Sequence, residues 1–502
     1  MAIGREHSVR APERQDSTAV PDISWRPIMF VAGVVGVALL ATSGRIGYYG
    51  DELYFLAAAR EHLSWGYADQ PWLLPVLAWS MDTLFPGSVL GMRLPATAVT
   101  VAGVVVAALL ARELGGGRRA QVLTAFAYGF AFQILTSGHI LATSTLDPFF
   151  WTAVCFLVIR WVRTRSDSLL LLAGVTTAVA MQGKYLIVFL WVAIVVGLLI
   201  DGPRDMLRRP ALWAGGVLAV AVTTPSLVWQ AQRGWPFFDM QTAVSGEVER
   251  MFGGRQMFLP MALLFAGILG GVLCCHGLWV LLSDSRFRTY RFMGIAAIAC
   301  TAACVATGGR FYYIAGLYAV VMAASAVRIE AVPPARAWAW IPTRPVAVIS
   351  AIVAIVVFLP VAPVSTVTSS QWTASSSLGW PQLTDTVVDA ATDAGGSARP
   401  AAVVTETFWQ AGALEVLAHD RLPPVYSPER GYYWFGSPNS ETPVLLVGYD
   451  RSDLDAWFTG VHLVDRTELD APSPNVNQDV PIWYAEGPRT SWEELWPRLH
   501  RL

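Results

Sequence analysis

Residues Tyr48–Leu77 read YYGDELYFLAAAREHLSWGYADQPWLLPVL. The stretch follows an apolar run, 27–44, that is long enough to cross a bilayer, and it sets a carboxylate pair, Asp51 and Glu52, just past the end of that run. Leu53, Phe55, Leu56, Ala59 and Leu63 then form an apolar stripe beside polar Arg60 and Glu61. The pattern predicts a short helix lying in the membrane interface, with its acids in the first turn, where the helix dipole favours anions. Plain helix capping is the alternative use of such a pair. A third carboxylate shifts the balance, because Ser64–Pro71 (SWGYADQP) is a turn that carries Asp69 among aromatics before the next apolar run. Carboxylates beside Trp65, Tyr67 and Gln70 suit a site for a sugar and a divalent ion, since hard cations take oxygen ligands and a displaced proton needs a base. For any single Trp or Tyr the alternative is the aromatic belt at a membrane surface.

The rest of the chain sets this loop in a membrane. Of 502 residues 54% are hydrophobic and 14% charged, 21 are tryptophan, and the mean hydropathy is +0.46. That composition belongs to a polytopic membrane protein and not to a soluble domain. A bilayer core of about 30 Å needs roughly 20 apolar residues per helix, and on that rule about eleven spans are expected. They fall near 27–44, 87–110, 120–137, 148–162, 168–182, 185–200, 211–229, 257–282, 292–307, 311–327 and 345–363.

Arginine placement gives these spans a direction. With the N-terminus inside, the segments 112–119, 160–165, 204–209, 286–291 and 328–344 all fall on the cytoplasmic side, as expected of short positive loops. The loop 45–86, the connections near 138–147 and 230–256, and everything after about 364 then lie outside. Residues 1–26, with Arg5, Arg10 and Arg14 among Pro, Ser and acidic residues, read as a disordered cytoplasmic tail and not a signal peptide. Residues 27–364 form the membrane domain. Beyond a Ser/Thr-rich linker, 365–377, short β-rich runs such as AAVVTE (401–406) and PVLLVGYD (443–450) predict a small extracytoplasmic α/β domain over 365–502. The net charge of −2 argues neither for nucleic acid nor for an anionic surface, and no nucleic-acid partner is expected. All five cysteines sit in apolar runs, so neither a disulfide framework nor a zinc spacing is present.

A family resemblance runs in order along the chain. DELYFLAAAREHLSWGYADQPWLLPVLA (51–78), ATSTLDPFFWTAVCFLVIRW (142–161), GKYLIVFL (183–190), VWQAQRGWPFF (228–238) and GGRFYYIAGLYAVVMAASA (308–326) carry it. TETFWQAGALEVL (405–417) and LPPVYSPERGYYWFG (422–436) extend it weakly. The sequence resembles the bacterial ArnT-like and protein O-mannosyltransferase-like membrane glycosyltransferases, GT-C enzymes that use polyprenyl-phosphate sugars. The resemblance implies a GT-C fold. It also implies that Asp51 is the catalytic acidic residue of the first outer loop, with Glu52 its neighbour, and that Asp69 matches a later acid that helps hold a metal. Gln70 stands where the ArnT motif has lysine, and Trp72 replaces the second proline of DQPP. The GxPYY-like element reads Gly309–Tyr313, with Arg310 inside it.

Other cations suit the donor's phosphate. Lys184 is the chain's single lysine among 35 basic residues and lies between two expected spans; a cation there is costly unless it snorkels or is paired. Arg310, beside Tyr312 and Tyr313, suits a bidentate contact to phosphate. His139 and Asp147 lie on a short outer connection and are candidates for binding the sugar or acceptor, with a structural histidine and a helix cap as the alternatives. Asp239, Glu247 and Glu249 are the carboxylates of the 230–256 loop, and Glu247 is taken as a second metal ligand.

The expected reaction moves a sugar from a polyprenyl-phosphate donor to a hydroxyl of a protein, lipid or cell-wall glycan, with Asp51 as base. A lipid-linked donor fits an outer site, where nucleotide sugars are absent, and the sequence has no GxxxxGK[ST] loop. A divalent metal ion is the one cofactor considered. Two alternatives remain: a transporter or flippase of lipid-linked or amphipathic solutes, and a non-catalytic relative that binds a lipid-linked sugar.

Overall fold

The computed structural model describes residues 20–333, 335–336, 339–367, 371–393, 398–439, 443–469 and 475–502. Arg5, Arg10 and Arg14 of the expected tail lie outside the described residues, as does part of the expected linker. The chain enters through α1 (Trp25–Ser43), α2 (Gly50–Glu61), α3 (Leu73–Leu84) and α4 (Val89–Glu113). It continues through α5 (Arg118–Gly129), α6 (Phe132–Gly138), α7 (Asp147–Thr164), α8 (Ser168–Ala180), α9 (Ile187–Asp201), α10 (Pro210–Gln232) and α11 (Pro236–Phe252). The helical body closes with α12 (Phe258–Phe265), α13 (Ile268–Ser283), α14 (Arg291–Ala306), α15 (Tyr318–Ala331) and α16 (Arg344–Phe358).

Among the described residues, five helical segments are long and apolar enough to cross a membrane, and α12 with α13 passes as a sixth if the pair is one span bent by 112°. The bend sits at Gly267, whose φ of +86° is open to glycine and strained for other residues. Shorter apolar helices include α3, α8, α9 and α16. Two expected spans are therefore interrupted: 120–137 breaks at Phe130–Ala131 into α5 and α6, and 257–282 bends at Gly267. Hydropathy reports how apolar a run is and is blind to the turn inside it.

One end of the body gathers the arginine-rich segments. Arg163 pairs with Glu113 at 2.7 Å, Arg291 with Asp201 at 2.8 Å, and Arg328 with Asp284 at 2.9 Å. Arg165 meets Asp205 at 2.6 Å, while Glu330 accepts from the backbone N–H groups of Gly117 and Arg119. Arg112 reaches the Pro21 carbonyl at 2.8 Å. Segments scattered over three hundred residues of sequence thus meet on one face, with acids interleaved.

At the opposite end lies a mixed domain. α17 (Trp372–Ser375) and α18 (Trp380–Thr392) lead to β1 (Ala402–Thr405), α19 (Phe408–Ala418), β2 (Val425–Tyr426), β3 (Val444–Val447) and α20 (Arg451–Trp457). β4 (Phe458–Thr459), β5 (His462–Arg466), β6 (Pro481–Ala485), β7 (Gly487–Pro488) and α21 (Trp492–Leu499) complete it. The main sheet has the order β2-β1-β3-β6-β5, parallel among its first three strands and antiparallel beyond, and β4 pairs with β7. The fully buried strands β1 and β3 read as near-continuous apolar runs, with Thr405 closing β1, as parallel strands covered on both faces do.

α2 joins the two halves. The expected interfacial helix with one wet face is instead buried along Glu52–Ala59. Leu53 belongs to the core of the C-terminal domain, whereas Tyr54, Phe55, Leu56, Ala57 and Ala59 pack with Leu74, Met92, Leu141, Phe408 and Tyr432. Its small Ala57–Ala59 segment lets neighbouring elements cover it closely.

Candidate functional site

Glu52 sits at the base of the loop, and the structure corrects its catalytic assignment. Its side chain is 0% exposed and bidentate to Arg93, with Oε1 to Nε at 2.9 Å and Oε2 to Nη2 at 2.9 Å. The same carboxylate accepts from the backbone N–H of Tyr49 at 2.8 Å and of Leu141 at 2.9 Å. Arg93 in turn donates to the carbonyls of Ser43 at 2.7 Å and Gly47 at 2.8 Å. With its acceptor positions engaged, Glu52 cannot take a proton from a substrate. It fixes the end of α1, the start of α2 and the 139–146 connection in one buried knot.

The adjacent residue faces the other way. Asp51 opens onto a cavity of about 260 Å³, whose lining includes Asp69, Lys184, Glu247, Arg310, Tyr312, Tyr313 and Arg430. Seven residues singled out from sequence are therefore brought together by helices far apart in the chain. Trp409 donates its indole N–H to Asp51 Oδ1 at 2.8 Å. Burial pushes the Asp51 carboxyl up, against that hydrogen bond and the pull of Arg430, Arg310 and Lys184.

Asp69 stands at the tip of its turn. Tyr67 N donates to the Gln70 carbonyl at 2.8 Å, Gly66 bridges to Pro71, and α10 clamps the turn as Ser226 bonds the Trp65 carbonyl and Gln230 bonds that of Tyr67. Tyr54 donates to Asp69 Oδ1 at 3.1 Å. Burial raises the Asp69 carboxyl to about 6, with Arg430 pulling down and Asp51 pushing up.

Cations line the facing wall. Lys184 stands 4.2 Å from the Tyr313 ring centre, a cation–π contact, and Arg310 donates to the Tyr312 hydroxyl at 2.8 Å. Arg310 and Arg430 both pair with Glu247, from α11. That arrangement bears on the expected metal ligands, Asp69 and Glu247. Glu247 is neutralised by two guanidinium groups and one oxygen of Asp69 takes a tyrosine hydroxyl. Among the described residues no three His, Cys, Asp or Glu side chains gather to hold an ion. With these oxygens engaged, the donor set does not fit a divalent cation.

The remaining assignments fall away from the cavity. Trp65 is 62% exposed and edge-on to Trp72 at 6.1 Å. The Tyr67 hydroxyl is used within the loop, accepting from Ser64 N at 3.1 Å and donating to the His62 carbonyl at 3.0 Å. Gln70 is buried at 1% exposure. His139 is buried beside Arg93, and the two effects push its imidazole down to about 3, so it stays neutral. Asp147, in the first turn of α7, is buried behind the wall and is the strongest charge acting on Lys184. None of these five residues lines the cavity.

The lining residues not singled out from sequence include the polar or aromatic side chains of Tyr49, Trp372, Trp409 and Arg430. Arg430 follows Glu429 at a left-handed φ of +48°, uncommon outside glycine. Its N–H is held by the Arg501 carbonyl at 2.8 Å, and its guanidinium lies 4.9 Å from the centre of the Phe408 ring. The signal for it was a basic residue among aromatics in LPPVYSPERGYYWFG, in a domain that hydropathy separates from the loop.

Residues 69–229 match the family described as dolichyl-phosphate-mannose-protein mannosyltransferase. The chain is also similar to the crystal structure of ArnT from Cupriavidus metallidurans bound to undecaprenyl phosphate. Identity there is 15%, coverage 91% of this chain and 97% of that one, and the TM-score 0.59. The apo state of the same protein gives 14% identity, the same coverage and a TM-score of 0.59. No curated protein matches the chain. The two crystal structures are likenesses of fold.

Proposed function

We propose, from the family match over residues 69–229 and the likeness of fold to ArnT, that this chain is a membrane glycosyltransferase of the GT-C type. It moves a sugar from a polyprenyl-phosphate donor to an acceptor hydroxyl on the outer face of the cytoplasmic membrane. The observation that carries the reading is the single cavity in which Asp51 and Asp69 face Lys184, Arg310 and Arg430, at the end of the body remote from the arginine-rich loops. Carboxylates opposed to cations across one space are what a displacement at a sugar phosphate requires: a base for the incoming hydroxyl and positive charge for the leaving phosphate. Undecaprenyl phosphate, bound in that ArnT structure, belongs to the same chemical class as the carrier of this donor.

Asp51 Oδ1 is held by Trp409, so Oδ2 is the oxygen that takes the acceptor's proton. As the hydroxyl oxygen bonds to the anomeric carbon, the bond from that carbon to the phosphate oxygen breaks, through a transition state with oxocarbenium character. Polyprenyl phosphate leaves with the electron pair, and its growing charge is met by the three cations. Glu247 offsets two of them in the resting site; the incoming phosphate competes with that carboxylate for Arg310 and Arg430.

Transfer from a panel of radiolabelled polyprenyl-phosphate sugars into membranes tests the reading, with wild type and Asp51→Asn at matched expression. The expected result is donor consumption by wild type and a loss of about 10²–10⁴-fold in the variant, the range for a positioned base. Full activity in Asp51→Asn removes the assignment of the base. Solute movement that survives the same substitution, without donor consumption, transfers the reading to a transporter.

A further inference from the structure

We propose that Trp409, contributed by the C-terminal domain, is a positioning residue for Asp51: its indole N–H fixes one carboxylate oxygen and thereby aims the other at the acceptor hydroxyl. The proposal rests on Asp51 being the base of the proposed transfer.

Several independent features converge on this contact. The Nε1 to Oδ1 distance is 2.8 Å. Gly50 leaves room for the ring, because a β-carbon there would collide with the indole of Trp409. Tyr49 packs edge-on against the same ring, with centres 5.2 Å apart and planes at 62°, and Trp372 lies 6.4 Å away. The start of α19 that carries Trp409 is fixed by a reciprocal cap. Gln410 N donates to Thr407 Oγ1 at 3.2 Å and Thr407 N donates to Gln410 Oε1 at 3.1 Å. The adjacent Phe408 N–H donates to Glu429 at 2.9 Å. A ring held from this many sides does not turn freely, so the direction of its N–H is set by the fold.

The choice of an indole has a chemical consequence. Tryptophan donates one hydrogen bond and neither accepts nor ionises. A guanidinium in its place would orient Asp51 equally well but would hold its negative charge in an ion pair, weakening it as a base. The charged and titratable groups lining the cavity with Asp51 are Tyr49 before α2, Asp69 on its turn, Lys184 and Tyr185 between α8 and α9, Glu247 on α11, Arg310, Tyr312 and Tyr313 before α15, and Arg430 beyond β2. Hydrogen bonds to a carboxylate are stronger than those to its acid form, so loss of the indole N–H shifts Asp51 toward protonation while the other groups stay in place.

Trp409→Phe, which keeps a packed ring and removes the donor, and Trp409→His, which restores an N–H on a smaller ring, test the proposal. Two readouts are needed. The first is the pH profile of transfer with kcat and KM separated. The second is an infrared titration of the carboxylic-acid band that Asp51→Asn removes, which uses no substrate. Trp409→Phe is expected to lose about tenfold in kcat, the size of one hydrogen bond to a charged group, with the donor KM within about twofold. Its acid limb and its infrared midpoint are both expected at higher pH than in wild type, with Trp409→His between the two. Wild-type kcat with an unmoved midpoint overturns the proposal. A loss shared by kcat and KM with an unmoved midpoint also overturns it, since that is the mark of a packing role alone. A shifted midpoint in a protein whose wild type consumes no donor overturns the proposed function, and with it the catalytic meaning of the contact.

Discussion

At Asp69, burial and nearby charge oppose each other, and the balance has a sign that can be measured. Its folded carboxyl titrates near 6, above the ordinary value for Asp of about 3.9, because desolvation outweighs Arg430. The folded state therefore holds this proton more tightly than the unfolded chain. The associated stability is fully present below pH of about 4 and is lost as pH rises through about 6. Asp69→Asn should match wild type in thermal midpoint near pH 4 and exceed it near pH 7.5, in a series of melts in detergent; a gap that does not change with pH counts against the burial of this charge. Glu52 supplies the contrast. Its ion pair with Arg93 has side-chain exposure of 0% on both partners, and removing one partner of such a pair costs about 3–5 kcal/mol. Arg93→Leu is expected to lose that much, together with activity, although it lines no part of the cavity. A small change in melting would show that the knot under the loop is not what holds it.

Elements decide which of these residues meet. α2 carries Asp51 toward the cavity and Glu52 into the knot, one hundred degrees apart on the helix, and α19 lies across it with Trp409 over Gly50. The turn after β2 brings Gly431 against the hydroxyl of Tyr54, the residue that bonds Asp69. A methyl group there must displace either the tyrosine or the Arg430 backbone, which already sits at a positive φ. Gly431→Ala is accordingly expected to lower transfer about tenfold or more while the protein still folds, read by initial rates beside a melting curve. Unchanged rates would mean that the contact between this turn and α2 does not set the position of Asp69.

For the whole molecule, the ends of the body differ in charge and in partner. Arginine-rich segments from Arg112 to Arg328 knit together at one end, and the sheet domain caps the other. If the first end is cytoplasmic, single cysteines placed at the exposed positions Arg119 and Arg421, in a variant lacking the native five, should label from opposite sides. An impermeant maleimide on intact cells is expected to reach Arg421→Cys, and to reach Arg119→Cys after the membrane is opened. The opposite pattern would invert the topology and place the cavity inside. The three ionic partners Glu247, Arg310 and Arg430 tie the body to the cap, and under the proposed function the donor's phosphate competes for that tie.

The sequence by itself determined the membrane class, the common side of the arginine-rich segments, and seven of the cavity residues, because hydropathy, positive loops and rare carboxylates or cations near span ends are local signals. It could not distinguish Asp51 from Glu52, since adjacent acids look alike until the helix direction and the buried Arg93 assign one to the cavity and the other to the frame. It placed Trp65, Tyr67 and Gln70 near the chemistry because they are near Asp51 in sequence, and His139 because it lies on an outer connection, whereas the fold leaves all four outside the cavity lining. Tertiary structure alone supplied Trp409 and Arg430, from more than three hundred and fifty residues beyond Asp51. Their positions follow from the docking of α19 on α2, and the burial of an apolar helix by a distant domain leaves no periodicity or spacing from which the pairing could be read.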